Sequence, residues 1–232
     1  MKLRIVGSGA LAEQAKRLAD AFGYELSEDA GIVLPATEDD AVLAGLTGAG
    51  TVLHDPAAWA IASSRLRTDA LLRERGIPAP AYFPGGSEPY LVKPDRGSFG
   101  LGIWVTDDYC EVGGAVNAGF VTQEELAGDV WSAVVTGRPG DYVVQPAARL
   151  IYDDRRRVGA ELTLPPEASA LADTAAACAE ALGMRGILEV EAICDHGVWK
   201  VIDLNARLPM YTADALAAAG VDLLRELIRA FS

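Results

Sequence analysis

The sequence predicts an α/β chain, and three observations predict it. An apolar run, a glycine turn and a helical pattern open the chain; strands and helices then alternate tightly; from Tyr90 the texture changes to strands joined by turns. Residues 3–6 are the first strand, Gly7-Ser8-Gly9 the turn and residues 11–22 the helix, the opening of a Rossmann-like unit. Strands at 32–34 and 51–53, the latter before His54-Asp55-Pro56, extend a parallel sheet. A helix over 64–75 stops at Gly76-Ile77-Pro78-Ala79-Pro80. Strands follow at 90–92, 103–106, 121–126, 130–136 and 143–150. After Pro165-Pro166 an alanine-rich helix runs to Leu182. Two strands, 187–194 and 198–204, then flank the turn Asp195-His196-Gly197, and an amphipathic helix, Leu223–Phe231, ends the chain. No internal repeat is visible.

At 232 residues and 50% apolar content, the chain can bury a sizeable core in one body or in two or three small lobes. Its net charge of −13 is a poor match to a nucleic-acid backbone or an anionic membrane. ATP stays admissible, because a small phosphate ligand needs only a few local cations and backbone N–H donors. Cys110, Cys178 and Cys194 are far apart and His54 and His196 are the only histidines, so a Cys/His zinc site is not expected. The odd cysteine count suggests a reducing compartment. With no signal-peptide core and no run of about 18 apolar residues, the expectation is a soluble, cytoplasmic protein.

Three stretches could carry chemistry. Gly7-x-Gly9 lacks the third glycine of a dinucleotide fingerprint, because Ala12 stands there; it reads as a tight strand-to-helix turn, with an NAD(P)-binding oxidoreductase as the rival. Leu91-Val92-Lys93-Pro94 followed by Asp95-Arg96-Gly97-Ser98-Phe99-Gly100-Leu101-Gly102 is a strand and a glycine-rich loop. Such a loop can fold over a triphosphate with Lys93 as a point charge, or be a flexible hairpin with a lysine at its base. In the third stretch, period-two alternation sets Glu189 and Glu191 on one face of a strand, and Asp203, Asn205 and Arg207 on one face of the next. Acids buried together repel unless a cation neutralises them, and Mg²⁺ suits oxygen ligands that also meet phosphates. A solvated acidic face is the alternative, although an asparagine inside a strand is disfavoured without a reason. Arg155-Arg156-Arg157 reads as a solvated turn, with anion or substrate capture the lesser reading. Trp104, Trp131 and Trp199 read as packing residues.

Taken in order, these pieces resemble the ATP-grasp superfamily over nearly the whole chain. Ser64-Arg65 and the stop at Gly76–Pro80 are similar to the family's entry to its central lobe, and the Lys93 strand with its loop to the nucleotide lysine and phosphate loop. Val121-Thr122-Gln123-Glu124-Glu125-Leu126-Ala127-Gly128 is similar to the adenine-holding hinge, and Asp203-Leu204-Asn205-Ala206-Arg207 to the metal signature. The resemblance implies an ATP-grasp fold: a short Rossmann-like lobe over 1–63, a small α+β lobe with the phosphate loop over 64–126, and a C-terminal α+β lobe with the metal site over 127–232. It implies ATP with Mg²⁺, two ions being expected and Mn²⁺ an admissible substitute. Lys93 and Arg65 would contact phosphates, Gly97, Ser98, Phe99 and Gly100 would form the loop, and Gln123, Glu124, Glu125 and Leu126 would meet adenine. Asp129 would meet the ribose; Glu191, Asp203 and Asn205 would hold metal; Arg207 would stabilise the transferring phosphoryl group. The implied activity is a ligase joining a carboxylate to an amine through an acyl phosphate.

Within the superfamily, Gly186–Ile193, Asn205-Ala206-Arg207-Leu208-Pro209 and Ala219–Leu224 are similar to pyrrolysine-pathway ligases that join methylornithine to lysine. Those ligases have a longer N-terminal lobe and a further segment after the position of Phe231, and 152–161 does not match their substrate-binding residues. The resemblance thus implies small-molecule partners, amino acids or small amines with a carboxylate, and leaves a homodimer open. A tyramine–glutamate ligase of methanofuran-type pathways is one alternative; a catalytically silent nucleotide-binding module, suggested by Arg65 where lysine is more common, is another.

Overall fold

The computed structural model describes residues 1–48, 50–82, 89–97 and 101–232. The first lobe runs β1 (Lys2–Val6), α1 (Ala10–Ala21), β2 (Glu25–Leu26), β3 (Ile32–Pro35), α2 (Glu38–Leu46) and β4 (Thr51–Val52). Its strands pair parallel in the order β2-β1-β3-β4, the arrangement that strand–turn–helix alternation requires. Leu3 and Leu34 pack with Ala15, Leu18 and Ala19 of α1. At the Gly7-x-Gly9 turn the first glycine is the one packed against protein. Gly7 has φ +120°, and a Cβ there would run into the Asp40 carboxylate, which caps α2 reciprocally with Thr37. The absent side chain makes room for a helix cap.

Two helices, α3 (Pro56–Ala62) and α4 (Arg65–Glu74), lead to β5 (Tyr90–Pro94), β6 (Trp104–Thr106), α5 (Tyr109–Asn117) and β7 (Phe120–Glu124). The three strands form an antiparallel sheet, β6-β5-β7. Ser64 starts α4 because its hydroxyl oxygen accepts from Arg67 N–H, while Asp95, just past β5, accepts from Leu66 N–H at 2.9 Å. The helix start and the end of the lysine strand are thereby tied together.

The rest of the chain builds the large sheet: β8 (Val130–Arg138), β9 (Asp141–Val144), β10 (Ala148–Asp153), β11 (Arg156–Leu162), α6 (Ala168–Leu182), β12 (Gly186–Asp195) and β13 (Val198–Asn205), then α7 (Met210–Ala218) and α8 (Leu223–Phe231). Its order is β11-β10-β8-β12-β13, with β9 also on β8. The single strand expected over 143–150 is two strands: Pro146 has no N–H to give a ladder, so the chain breaks at 145–147 and restarts as β10. Arg156 and Arg157, read as part of a solvated turn, begin strand β11, and only Asp154-Arg155 make the turn. His196 (φ 49°) and Gly197 (φ 82°) turn β12 into β13; two consecutive positive φ values match the twist of the flanking strands.

β12 lies between β8 and β13 and is buried over eight residues. One face, Leu188, Val190 and Ala192, packs with Leu171, Ala175 and Cys178 of α6. The opposite face carries Ile187, Glu189 and Glu191, and Ile187 packs with α7 and α8. Trp131 and Trp199 meet edge-on at 6.4 Å in the core. Burying two carboxylates on the polar face requires partners nearby.

Candidate active site

The small and large sheets face one another across a cavity of about 490 Å³. Every described residue to which the family resemblance gives a role lines it: Arg65, Lys93, Gly97, Gln123, Glu124, Glu125, Leu126, Asp129, Glu191, Asp203, Asn205 and Arg207; Glu189 does not. Ser98, Phe99 and Gly100 lie outside the described residues.

Lys93, on the middle strand of the small sheet, is 5% exposed and donates to Ile202 O at 3.0 Å. Burial away from water pulls its pKa down to about 8, the neighbouring Asp203 opposing the shift. Arg65 opens α4; its Nη1 donates to Pro94 O at 2.6 Å, and its Nη2 lies 3.4 Å from Gly97 O and 3.8 Å from Asp203 Oδ2. Helix start, lysine strand and loop base thus bring two cations together, with Gly97 beside Arg65. Leu91 and Ile103 line the cavity from the small lobe, and Ile193 and Ile202 from the large sheet, giving it apolar walls.

At the hinge, Glu124 is engaged: its Oε1 accepts from Ala81 N–H at 2.9 Å and Lys200 Nζ at 2.6 Å. Glu125 accepts from Arg155 at 3.3 Å, across from the β10–β11 turn. Asp129, 63% exposed, pairs with Arg149 at 3.7 Å.

The hairpin β12–β13 sets Glu189 opposite Asn205 and Glu191 opposite Asp203. These two rungs have different partners. Glu189 is fully buried and accepts from Ser132 and Thr212 hydroxyls, each at 2.8 Å, and from Arg157 Nη1 at 3.2 Å. Glu191 accepts from Arg157 Nη2 and from Asn205 Nδ2 at 3.0 Å. Burial raises the Glu191 pKa to about 7, against the lowering pull of Arg157. Burial works against the charged form of Arg157 as well, yet Glu191 and Glu189 outweigh it and hold the guanidinium protonated. Asn205 Oδ1 accepts from Arg207 Nη2 at 3.2 Å, which gives the strand asparagine its reason. Among the described residues no group of three or more His, Cys, Asp or Glu is arranged to hold a metal.

Sequence reasoning missed Arg157, Tyr152 and Tyr211, which also line the cavity. The reading of Arg157 as part of a solvated turn is corrected: its side chain is 15% exposed and bridges two buried carboxylates. The signal available was alternation, since β11 turns Arg157 inward while Arg156 and Val158 are exposed. A second compartment of about 220 Å³ shares Arg65, Gly97, Asp203, Asn205 and Arg207 with the first, and is lined by Trp59, Ser63 and Arg96 beyond them.

Two sheets facing one another across a cavity rich in cations and carboxylates define the class as an α/β fold with a cleft between its sheets. The ATP-grasp domain family matches residues 62–210, and the chain belongs to that family. It is 30% identical over 213 residues to the 3-methyl-D-ornithine–L-lysine ligase of Methanosarcina acetivorans, covering 89% of this chain. The chain spans 58% of that relative's length. Among solved structures, the biotin carboxylase of Campylobacter jejuni superposes with a TM-score of 0.82 at 13% identity, covering 99% of this chain and 70% of that one. The D-alanine–D-alanine ligase of Bacillus anthracis complexed with ATP superposes with a TM-score of 0.75 at 17% identity, covering 100% and 97%. The ATP-grasp fold expected from the sequence is the fold observed. Among the described residues no helix is long and apolar enough to cross a membrane.

Proposed function

We propose that this chain is an ADP-forming ligase that joins a carboxylate to an amine on small amino-acid-like substrates. The observation that carries the reading is the convergence of Arg65, Lys93, Glu191, Asp203, Asn205 and Arg207 on one cavity between two sheets. The similarity to a methylornithine–lysine ligase supports substrates of amino-acid type.

In this reading adenine lies between the apolar walls Leu91 and Ile103 on one side and Ile193 and Ile202 on the other, its edge at Gln123, Glu124, Glu125 and Leu126 and its ribose at Asp129. The phosphates run toward Lys93, Arg65 and Gly97. The donor set fits a divalent cation: Glu191 and Asp203 face each other across the hairpin, and Asn205 adds an amide oxygen. These are hard oxygen ligands, too few to enclose an ion alone, as suits Mg²⁺ that takes further ligands from phosphates and water. Mg²⁺, as one or two ions with Mn²⁺ as substitute, supplies neutralisation of phosphate charge when bound.

The γ-phosphoryl group passes from ATP to a carboxylate oxygen and ADP leaves; the amine then attacks the acyl carbon and phosphate leaves. The protein's work is to position and to stabilise charge. Lys93 and Arg65 hold phosphate oxygens, and Arg207, between the two compartments, meets the transferring group. The second compartment takes the acid and the amine beside it. The chain works in a reducing cytoplasm; any homodimer is read from solution mass. The testing experiment is ADP release from Mg-ATP against amino acids and small amines, singly and in pairs. Release that needs one particular pair is expected; ATP binding without release for any pair would favour a silent module.

A further inference from the structure

Each oxygen group assigned to the metal is already held by an arginine. Glu191 accepts from Arg157 Nη2, Asp203 lies 3.8 Å from Arg65 Nη2, and Asn205 Oδ1 accepts from Arg207 at 3.2 Å. Arg157 differs from the other two because it is clamped to a second carboxylate behind the first. Its Nη1 lies 3.2 and 3.3 Å from the two oxygens of Glu189. Glu189 cannot turn toward the cavity. It has no exposure, and Ser132, Thr212 and Asn205 also donate to it.

We propose that Arg157 is a built-in stand-in for the metal. In the nucleotide-free protein its guanidinium neutralises Glu191; on metal–nucleotide binding Nη2 leaves Glu191 for a phosphate oxygen, while Nη1 stays on Glu189. The proposal rests on the metal assignment in the ligase reading above. Two buried carboxylates on one strand face repel, and a fixed guanidinium lets the strand fold without an ion. A metal and a guanidinium then compete for the same Glu191 oxygens, so metal alone binds weakly. The nucleotide brings the acceptors that the displaced Nη2 needs. Metal and nucleotide therefore bind cooperatively, each raising the affinity of the other by the same factor. Glu189 serves as the pivot, which explains why a carboxylate that faces no ligand is saturated with donors.

The test is Mn²⁺ binding to the full chain without nucleotide, followed by electron paramagnetic resonance, in wild type, Arg157→Gln and Arg157→Lys. Wild type is expected to bind weakly, and Arg157→Gln tighter by about tenfold or more, with less further gain on adding ADP. The metal-free Gln variant should unfold at a lower temperature than wild type and recover when Mn²⁺ is added, while wild type does not shift. Equal Mn²⁺ affinity in the two proteins, with no metal-dependent shift, would overturn the proposal. Should Arg157→Gln not fold, Arg157→Lys decides: one ammonium cannot bridge both carboxylates as the fork does, so Mn²⁺ affinity rises, and affinity equal to wild type overturns the idea. MgADP binding to wild type, measured alongside, reports on the nucleotide site itself. Its absence would remove the ligase reading while leaving the competition between arginine and Mn²⁺ readable.

Discussion

The β12–β13 hairpin has two layers that look alike in sequence and do opposite work. The deep layer, Glu189 with Ser132, Thr212 and Arg157, is sealed and every carboxylate oxygen has a donor. The cavity layer, Glu191 with Asp203, is two register pairs further along, and Asp203 is 27% exposed beside Arg65. Both glutamates sit on the same strand face two residues apart. What separates them is the neighbour on the other side: α7 covers Glu189 with Thr212, whereas the cavity leaves Glu191 open to a ligand. A carboxylate saturated by core hydroxyls is part of the scaffold, and one held only by Arg157 and Asn205, both lining the cavity, can change partners.

The largest expected effect comes from breaking the deep layer. Glu189→Leu should lower unfolding free energy by about 3–5 kcal/mol, because it strips a buried guanidinium of its inner partner; denaturant unfolding measures it. A loss below 1 kcal/mol would mean that the layer is not structural. In the cavity layer, Asp203→Asn should lower ADP release by about 10²–10³-fold with little change in thermal midpoint, since a positioned charge is lost and no contact in the core. Equal losses of stability in both variants would erase the distinction between the layers.

Away from the hairpin, Gly7→Ala should cost about 1–3 kcal/mol through its positive φ and the Asp40 cap, with nucleotide affinity unchanged in a titration of the folded protein. Lost affinity there would bring the first turn back as a ligand site. The smallest effect is pH-dependent. Lys93 is neutral in the nucleotide-free fold above about pH 8, while in the unfolded chain it stays protonated to its ordinary value of 10.5. The folded state therefore binds fewer protons in that window, and this group's contribution to stability rises with pH from 8 to 10.5. Phosphates favour the ammonium, so ATP affinity should fall above pH 8, by up to about tenfold per unit, with proton uptake on binding. Calorimetry in two buffers of different ionisation enthalpy reads that uptake; binding with no uptake at pH 8 would place Lys93 off the phosphates.

Much of the site was legible in the sequence because it rests on local patterns. Alternation in 187–205 put the carboxylates on facing strands, and the lysine strand with its glycine loop marked the opposite wall. The helix Leu223–Phe231 has the bounds that its apolar period suggested. What was not legible depended on distant partners. Arg157 reads as one of three consecutive arginines until β11 pairs with β10 and alternation selects it. At Gly7 the space a side chain would need is filled by Asp40, 33 residues on, a contact that no local motif announces. Pro146 was a break signal within an apolar run, and the run alone suggested one strand.

The ligase reading requires the cavity to grip a metal-bound nucleoside triphosphate. Its most direct test is a calorimetric titration of a non-hydrolysable ATP analogue into wild type and Lys93→Ala, with and without Mg²⁺. One site is expected in wild type, strengthened by Mg²⁺ and lost or much weakened in Lys93→Ala with the fold intact. No binding to wild type, or binding indifferent to both Mg²⁺ and Lys93, would contradict it.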